Sequence, residues 1–143
     1  MILVDTNVVS EPWKPAPDVR VLAWIDAQTI ETLFLSAITV AELRFGIASM
    51  PAGRRRVTLH DRLERDVLPL FAGRILPFDL VASRAYADLL AEARSSGRAI
   101  GMADGYIAAT AQAHGLTVAT RDIRPFEAAG LKVINPWNDR RDL

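Results

Sequence analysis

The chain has 143 residues, half of them hydrophobic, and 17 Lys or Arg balance 17 Asp or Glu for a formal net charge of zero. That is enough for one domain with a full core and too apolar for a disordered chain. The lack of cysteine excludes thiol catalysis and a disulfide framework, while the neutral balance neither indicates nor excludes nucleic acid, because the charge that matters for binding is local.

The chain opens with Met1-Ile-Leu-Val-Asp5-Thr-Asn7-Val-Val9. A short unbroken apolar run with β-branched members reads as a strand buried on both faces, with Asp5 at its carboxyl end. In open α/β sheets that edge is where ligands bind. The run is too short for a signal peptide or a membrane span and lacks a basic leader, so a soluble cytoplasmic protein is expected. Ser10-Glu-Pro12, Pro15 and Pro17 form a turn-rich link. Asp18 to Gln28 reads as an amphipathic helix with Val19, Leu22 and Ile25 on its apolar face and Val21 and Trp24 beside them. Thr32 to Ser36 is a second buried strand, and Ser36 to Met50 a helix that follows it almost without a loop, as in a βα unit. Thr39 precedes Glu42 by three residues, which is capping-box spacing, so Glu42 has a helix-capping role and a chemical one open to it.

Pro51-Ala-Gly53 stops that helix. The next runs from about Arg54 to Leu68, with Leu59, Leu63 and Val67 on one face and alternating charges elsewhere. Such a mixed face is ordinarily solvated; its Arg54-Arg55-Arg56 run leaves a phosphate contact open. Arg74 to Leu76 is a short strand closed by Pro77, Asp79 to Ser95 a helix, and Gly97 its C-cap. Gly101 to His114 is an alanine-rich helix stopped by Gly115, with Asp104 in its first turn, where the helix dipole favours a negative charge. Leu116 to Ala119 is a fourth strand, followed by Thr120-Arg-Asp122. A short helix over 126–129 leads to a last strand, Leu131 to Ile134, broken by Asn135-Pro-Trp137. Trp24 and Trp137 suit core packing or an interface equally. Residues 1–137 are expected to form one domain and 138–143 a loose polar tail.

Strands alternating with helices predict an α/β fold, a three-layer α/β/α sandwich around a mostly parallel sheet. In that frame Asp5, Glu42 and Asp122 map to the carboxyl edge of the sheet, and Asp104 joins them if its helix starts there. Two carboxylates ~5 Å apart repel by roughly 3 kcal/mol at an effective dielectric of ~20, a large fraction of the ~5–15 kcal/mol that holds a domain together. A hard divalent cation removes that penalty, and oxygen ligands without a soft one favour Mg²⁺ or Mn²⁺ over Zn²⁺. His60 and His114 read as surface or helix-end residues. Acids around Mg²⁺ suit phosphoryl chemistry, in which water is the nucleophile.

Asp5-Thr-Asn7, Glu42 in Thr-Val-Ala-Glu, Asp104 in Ala-Asp-Gly-Tyr-Ile-Ala-Ala-Thr and Thr120-Arg-Asp122 resemble, in order and spacing, the acidic motifs of the PIN domain. Their flanks look most like toxins of bacterial type II toxin–antitoxin pairs, the VapC group and its FitB-like branch. The resemblance implies a PIN-like fold and a Mg²⁺-dependent ribonuclease that hydrolyses phosphodiesters with metal-activated water. It implies Asp5, Glu42 and Asp104 as core metal-binding acids, Asp122 as the fourth, and Thr6, Asn7 and Thr120 in support. It further implies a homodimer and a cognate antitoxin that blocks the groove and carries a DNA-binding domain, so that operator DNA is met only through the antitoxin.

Two other readings compete. In a haloacid-dehalogenase-like phosphatase, Asp5 would be a covalent nucleophile, but Asn7 stands where that chemistry needs a second acid. In a receiver-like signalling domain, paired acids would follow the first strand, and here there is only Asp5. Each acid also has a bland role: Asp5 capping a turn, Asp104 as a first-turn helix acid, Asp122 starting a helix.

Overall fold

The computed structural model describes residues 1–138. Five strands form one parallel sheet in the order β3-β2-β1-β4-β5: β1 Ile2–Val4, β2 Leu33–Ser36, β3 Ile75–Leu76, β4 Thr117–Ala119 and β5 Val133–Ile134. β1 is central, with Leu3 opposite Phe34 of β2 and Val118 of β4. Successive side chains of a strand point to opposite faces, and β1 shows the consequence. Val4 joins Val8, Val21, Trp24, Leu35, Val40 and Trp137 in one core. Leu3 joins Ile107, Ala108, Ala111, Val118 and Phe126 in the other. The sheet therefore lies between two helical layers, the three-layer α/β/α arrangement expected.

Among the described residues, seven α-helices connect the strands: α1 Thr6–Ser10, α2 Val19–Asp26, α3 Ala37–Ala48, α4 Arg54–Asp61, α5 Leu80–Ser95, α6 Met102–His114 and α7 Arg124–Ala128. Leu43 and Ile47 of α3, Leu59 of α4 and Leu63 just beyond it form a separate small core. Beyond Asp61, the helix widens to π-type turns over Arg62–Val67 and tightens over Leu68–Phe71. Every helix that follows a strand at the carboxyl edge starts there, because the strands are all parallel. That brings the starts of α1 and α3 and the loop after β4 together.

Several local expectations change. The sequence assigns no helix to residues 6–10, where the structure has α1. That helix forms because the Asp5 side chain accepts the Thr6 N–H at 2.8 Å and caps it. In α2 the buried side chains are Val21 and Trp24, while Val19 is 76% exposed; the apolar face is rotated from the Val19–Leu22–Ile25 stripe. Ser36, not Thr39, caps α3, its hydroxyl accepting the Ile38 N–H at 3.0 Å, so the capping-box role of Glu42 is excluded. Trp24 and Trp137 share one core and are packing residues. Gly97 and Gly115 end α5 and α6 at positive φ of 72° and 64°, where a side chain would be strained. Asn138 closes a final 3₁₀ turn over Pro136–Asn138. Residues 139–143 of the expected tail lie outside the described residues.

Candidate active site

Asp5 is 5% exposed. Its backbone N–H donates to the Ala119 carbonyl at 2.9 Å, which fastens the end of β1 to the end of β4. Its carboxylate accepts the Thr6 N–H on Oδ1 at 2.8 Å and the Thr120 hydroxyl on Oδ2 at 2.8 Å. Burial pushes the Asp5 carboxyl above its usual range; the Thr120 and Thr6 bonds pull it down, and the charges of Glu42 and Asp122 push it up again. The net direction is upward, because two hydrogen bonds do not replace the lost water.

Thr120, fully buried, is the hub beneath Asp5. Its one proton goes to Asp5, and its oxygen accepts the Asp122 N–H at 3.1 Å and the Asn7 side-chain amide at 3.4 Å. A hydroxyl has one donor and two acceptor positions, so all are filled. Asn7 also accepts the Arg121 N–H at 3.2 Å. The loop after β4 is thus tied to α1 through Thr120 and Arg121, the two residues before Asp122.

Glu42 projects from α3 toward α1, where its Oε1 accepts the Thr6 hydroxyl at 2.7 Å. Asp104 lies in the first turn of α6. Burial, and then the charges of Asp5, Asp122 and Glu42, push its carboxyl up to about 6. Each of the four acids named from the sequence therefore acts on at least one other. Among the described residues, no three His, Cys, Asp or Glu side chains form a ready-made coordination set; the acids are neighbours in one field, buttressed by hydroxyls and an amide. The donors are all oxygens and include a buried carboxylate, so their chemistry fits a hard divalent cation rather than a soft one. Such a cation would offset the burial, and then the like charges, that raise Asp5 and Asp104.

His60 and His114 are exposed, on α4 and at the end of α6. Arg54 and Arg55 line a shallow depression with Thr58, Leu59 and Arg62, and Arg55 donates to the Trp13 carbonyl at 3.3 Å.

Sequence reasoning missed three residues near this edge. Thr39 is fully buried, with its hydroxyl 3.3 Å from that of Thr6; its spacing to Glu42 leaves a capping and a chemical role open to Glu42 and points to none for Thr39 itself. The Arg121 guanidinium lies 5.3 Å from the centre of the Trp137 ring, a contact between residues far apart in sequence that no local pattern reveals. Glu11 is 3% exposed, accepts the Asp18 N–H at 2.9 Å and pairs with Lys14 at 2.9 Å. The Lys14 ammonium, first among the causes, holds its carboxyl below the usual range. It fastens the proline-rich link, where composition suggests only a solvated turn.

The family model for the PIN domain matches residues 2–131. "VapC ribonuclease Y4jK" of Sinorhizobium fredii is 72% identical over 137 residues, covering 96% of this chain and 98% of the relative. "Toxin FitB" of Neisseria gonorrhoeae is 56% identical over 139 residues, covering 97% of this chain and 100% of the relative. Among solved structures, one described as FitAB bound to an IR36 DNA fragment superposes with a TM-score of 0.95 at 52% identity, covering 99% of both chains.

Proposed function

The chain belongs to the PIN-domain family, and from that membership we propose that it is a Mg²⁺-dependent ribonuclease, the toxin of a toxin–antitoxin pair. The observation that carries this reading is the convergence of acids at the carboxyl edge: Thr6 links Asp5 to Glu42, Thr120 links Asp5 to Asp122, and Asp104 lies within their field. Like charges held together where burial already disfavours them call for a cation. Asp5, Glu42 and Asp104 would hold it, with Asp122 as the fourth and more peripheral acid. When bound, Mg²⁺, or Mn²⁺ in its place, supplies the positive charge that activates water and steadies the leaving oxygen.

The chain's own contribution is placement. Thr120 fixes the Asp5 carboxylate from below, Thr6 aims Glu42, and Asn7 sets the backbone that carries Asp122. No side-chain nucleophile is needed, in keeping with a site of acids, hydroxyls and one amide. The substrate is RNA, cut to 5′-phosphate and 3′-hydroxyl ends in the cytoplasm by a homodimer of single-domain chains. A cognate antitoxin with a DNA-binding domain blocks the groove and carries the pair to operator DNA, as the relative solved as FitAB on a DNA fragment suggests.

The competing readings lose ground on particulars. The strand order β3-β2-β1-β4-β5 differs from the 2-1-3-4-5 order of receiver-type folds. The haloacid-dehalogenase reading needs an acid where Asn7 stands, and the Asn7 amide is engaged with Thr120 and Arg121. The deciding experiment incubates the metal-stripped chain with RNA, with and without Mg²⁺, and maps the ends. Metal-dependent cleavage leaving 5′-phosphates is expected. Equal cleavage in chelator, or a trapped aspartyl-phosphate, would overturn the reading.

A further inference from the structure

Thr39 lies on the inner side of α3, one helical turn before Glu42, and is fully buried. The hydroxyl of Thr6 faces two oxygens: Glu42 Oε1 at 2.7 Å and Thr39 Oγ1 at 3.3 Å. Thr6 has one hydroxyl proton, and an ionised carboxylate can only accept. That proton therefore belongs to Glu42, at the shorter distance. The 3.3 Å contact is then made with Thr39 as donor and Thr6 as acceptor. Thr6 is the only side-chain partner of Thr39 among the described residues, and leaving a buried hydroxyl unpaired is costly, which fixes the direction of the chain of bonds.

We propose that Thr39 is a positioning residue: its hydroxyl donates to Thr6 and so holds the single Thr6 proton on Glu42. Glu42 is itself exposed and, on a helix surface, has several rotamers open to it. Thr6, at the start of α1, has a rotatable hydroxyl as well. Only Thr39 is locked in the core. Without it, the Thr6 hydroxyl can turn and Glu42 loses the restraint that keeps it beside Asp5. The three-residue spacing of Thr39 and Glu42 thus serves a bond network that runs through α1. The role assigned to Thr39 rests on the reading of Glu42 as a metal ligand; the bond chain itself does not.

Thr39→Val keeps the shape and removes the hydroxyl, and Thr39→Ser keeps the hydroxyl and removes the methyl. On the full chain, Mn²⁺ affinity is titrated by electron paramagnetic resonance and cleavage of RNA is measured alongside. Thr39→Val is expected to weaken Mn²⁺ binding about tenfold, the usual scale for groups that orient a ligand, with Thr39→Ser close to wild type. Unchanged affinity in Thr39→Val, or equal weakening in Thr39→Ser, would overturn the proposal, the latter because packing would then explain it. A double-mutant cycle of Thr39→Val with Glu42→Ala on the folding equilibrium of the metal-free chain needs neither metal nor activity. The two changes are expected to depart from multiplicativity by about twofold or more, as coupled side chains do. If the wild-type chain neither binds Mn²⁺ nor cuts RNA, the nuclease reading fails and the cycle alone judges the bond chain; multiplicative effects would sink it. Should Thr39→Val not fold, Thr39→Ala takes its place in each measurement.

Discussion

Glu64 on the α3–α4 arm and Asp5 at the sheet edge are both carboxylates, and their surroundings act on them in opposite directions. Glu64 is reached by the Arg44 guanidinium at 2.7 Å, which holds its carboxyl below the usual range. Asp5 is buried, meets other acids, and is held above it. At Glu64 charge is carried as on a solvated protein surface, beside a partner of opposite sign. The sheet edge carries charge that the fold alone leaves uncompensated. Perturbed carboxyls of the second kind gather where chemistry is done, and this contrast separates the candidate site from the Glu64 surface.

The sharpest way to break the comparison is to neutralise one acid in each region. Asp5→Asn is expected to lower RNA cleavage by roughly a thousandfold or more, the scale of losing a group that stabilises charge in the transition state. The same change should move the stability of the metal-free chain by only about 1 kcal/mol, because relief of a buried repulsive charge is offset by loss of the oxygen that accepts the Thr120 proton. Glu64→Gln should leave cleavage unaltered. Full activity in Asp5→Asn would remove the edge from consideration as the site.

Proton and metal linkage give the next effect. The Asp104 carboxyl, raised from 3.8 to about 6, holds its proton more tightly in the folded than in the unfolded chain. Between those two values the folded state binds more protons, so this group's contribution to stability falls as pH rises through the window. The difference in melting temperature between wild type and Asp104→Asn, both metal-free, should therefore widen from about pH 4 to about pH 6 in favour of the variant. Millimolar Mg²⁺ should reverse it at neutral pH, since a ligand of the folded state alone stabilises by mass action. A difference that stays flat with pH would mean that neither burial nor the neighbouring acids act on Asp104.

Glycine sharpens the same contrast through packing. Gly105, beside Asp104, faces α5: a Cβ there would come within 3.1 Å of the Tyr86 ring and 3.2 Å of Leu90 Cδ2. Gly46 in α3 has nothing within 4 Å of an added Cβ. Alanine at 105 is expected to destabilise by about 1–2 kcal/mol, overpacking outweighing the gain in helix propensity. Alanine at 46 should stabilise by up to about 1 kcal/mol, because there only propensity acts. Denaturant melts of the two variants check both signs.

How much of this was legible in the sequence follows from what a local pattern can carry. The buried strands β1, β2 and β4 declare themselves by apolar runs, and α6 by its alanines and the glycine that ends it. Asp5, Glu42, Asp104 and Asp122 were named from motif and position, and the parallel sheet puts them in one electrostatic neighbourhood. What stayed hidden depends on contacts between distant residues. Thr6 to Ser10 has little helix propensity, and α1 exists because Asp5 caps it and Val8 is buried. Val19 fits the apolar stripe of α2 by spacing, but that helix turns Val21 and Trp24 into the core that Trp137 shares. Thr39 and Glu42 have a capping-box spacing, yet Ser36 already occupies the cap. Glu11 is buried only because the chain folds back through Asp18.

The smallest expected effect lies in the Arg44–Glu64 pair. Its geometry is good, with Arg44 donating through Nε at 3.3 Å and Nη2 at 2.7 Å to the two carboxylate oxygens. The side chains are nonetheless 57% and 28% exposed, so water competes for both partners and salt screens them. Removing the pair by Arg44→Gln with Glu64→Gln should destabilise by about 0.2–1 kcal/mol at low salt, and by less at 1 M salt. The two single changes should each cost about as much as the double, because either one already breaks the bond. If the pair instead contributed several kcal/mol and resisted salt, the arm would be electrostatically closer to an interior than its exposure implies. The distinction between a compensated surface and an uncompensated edge would then lose its physical basis.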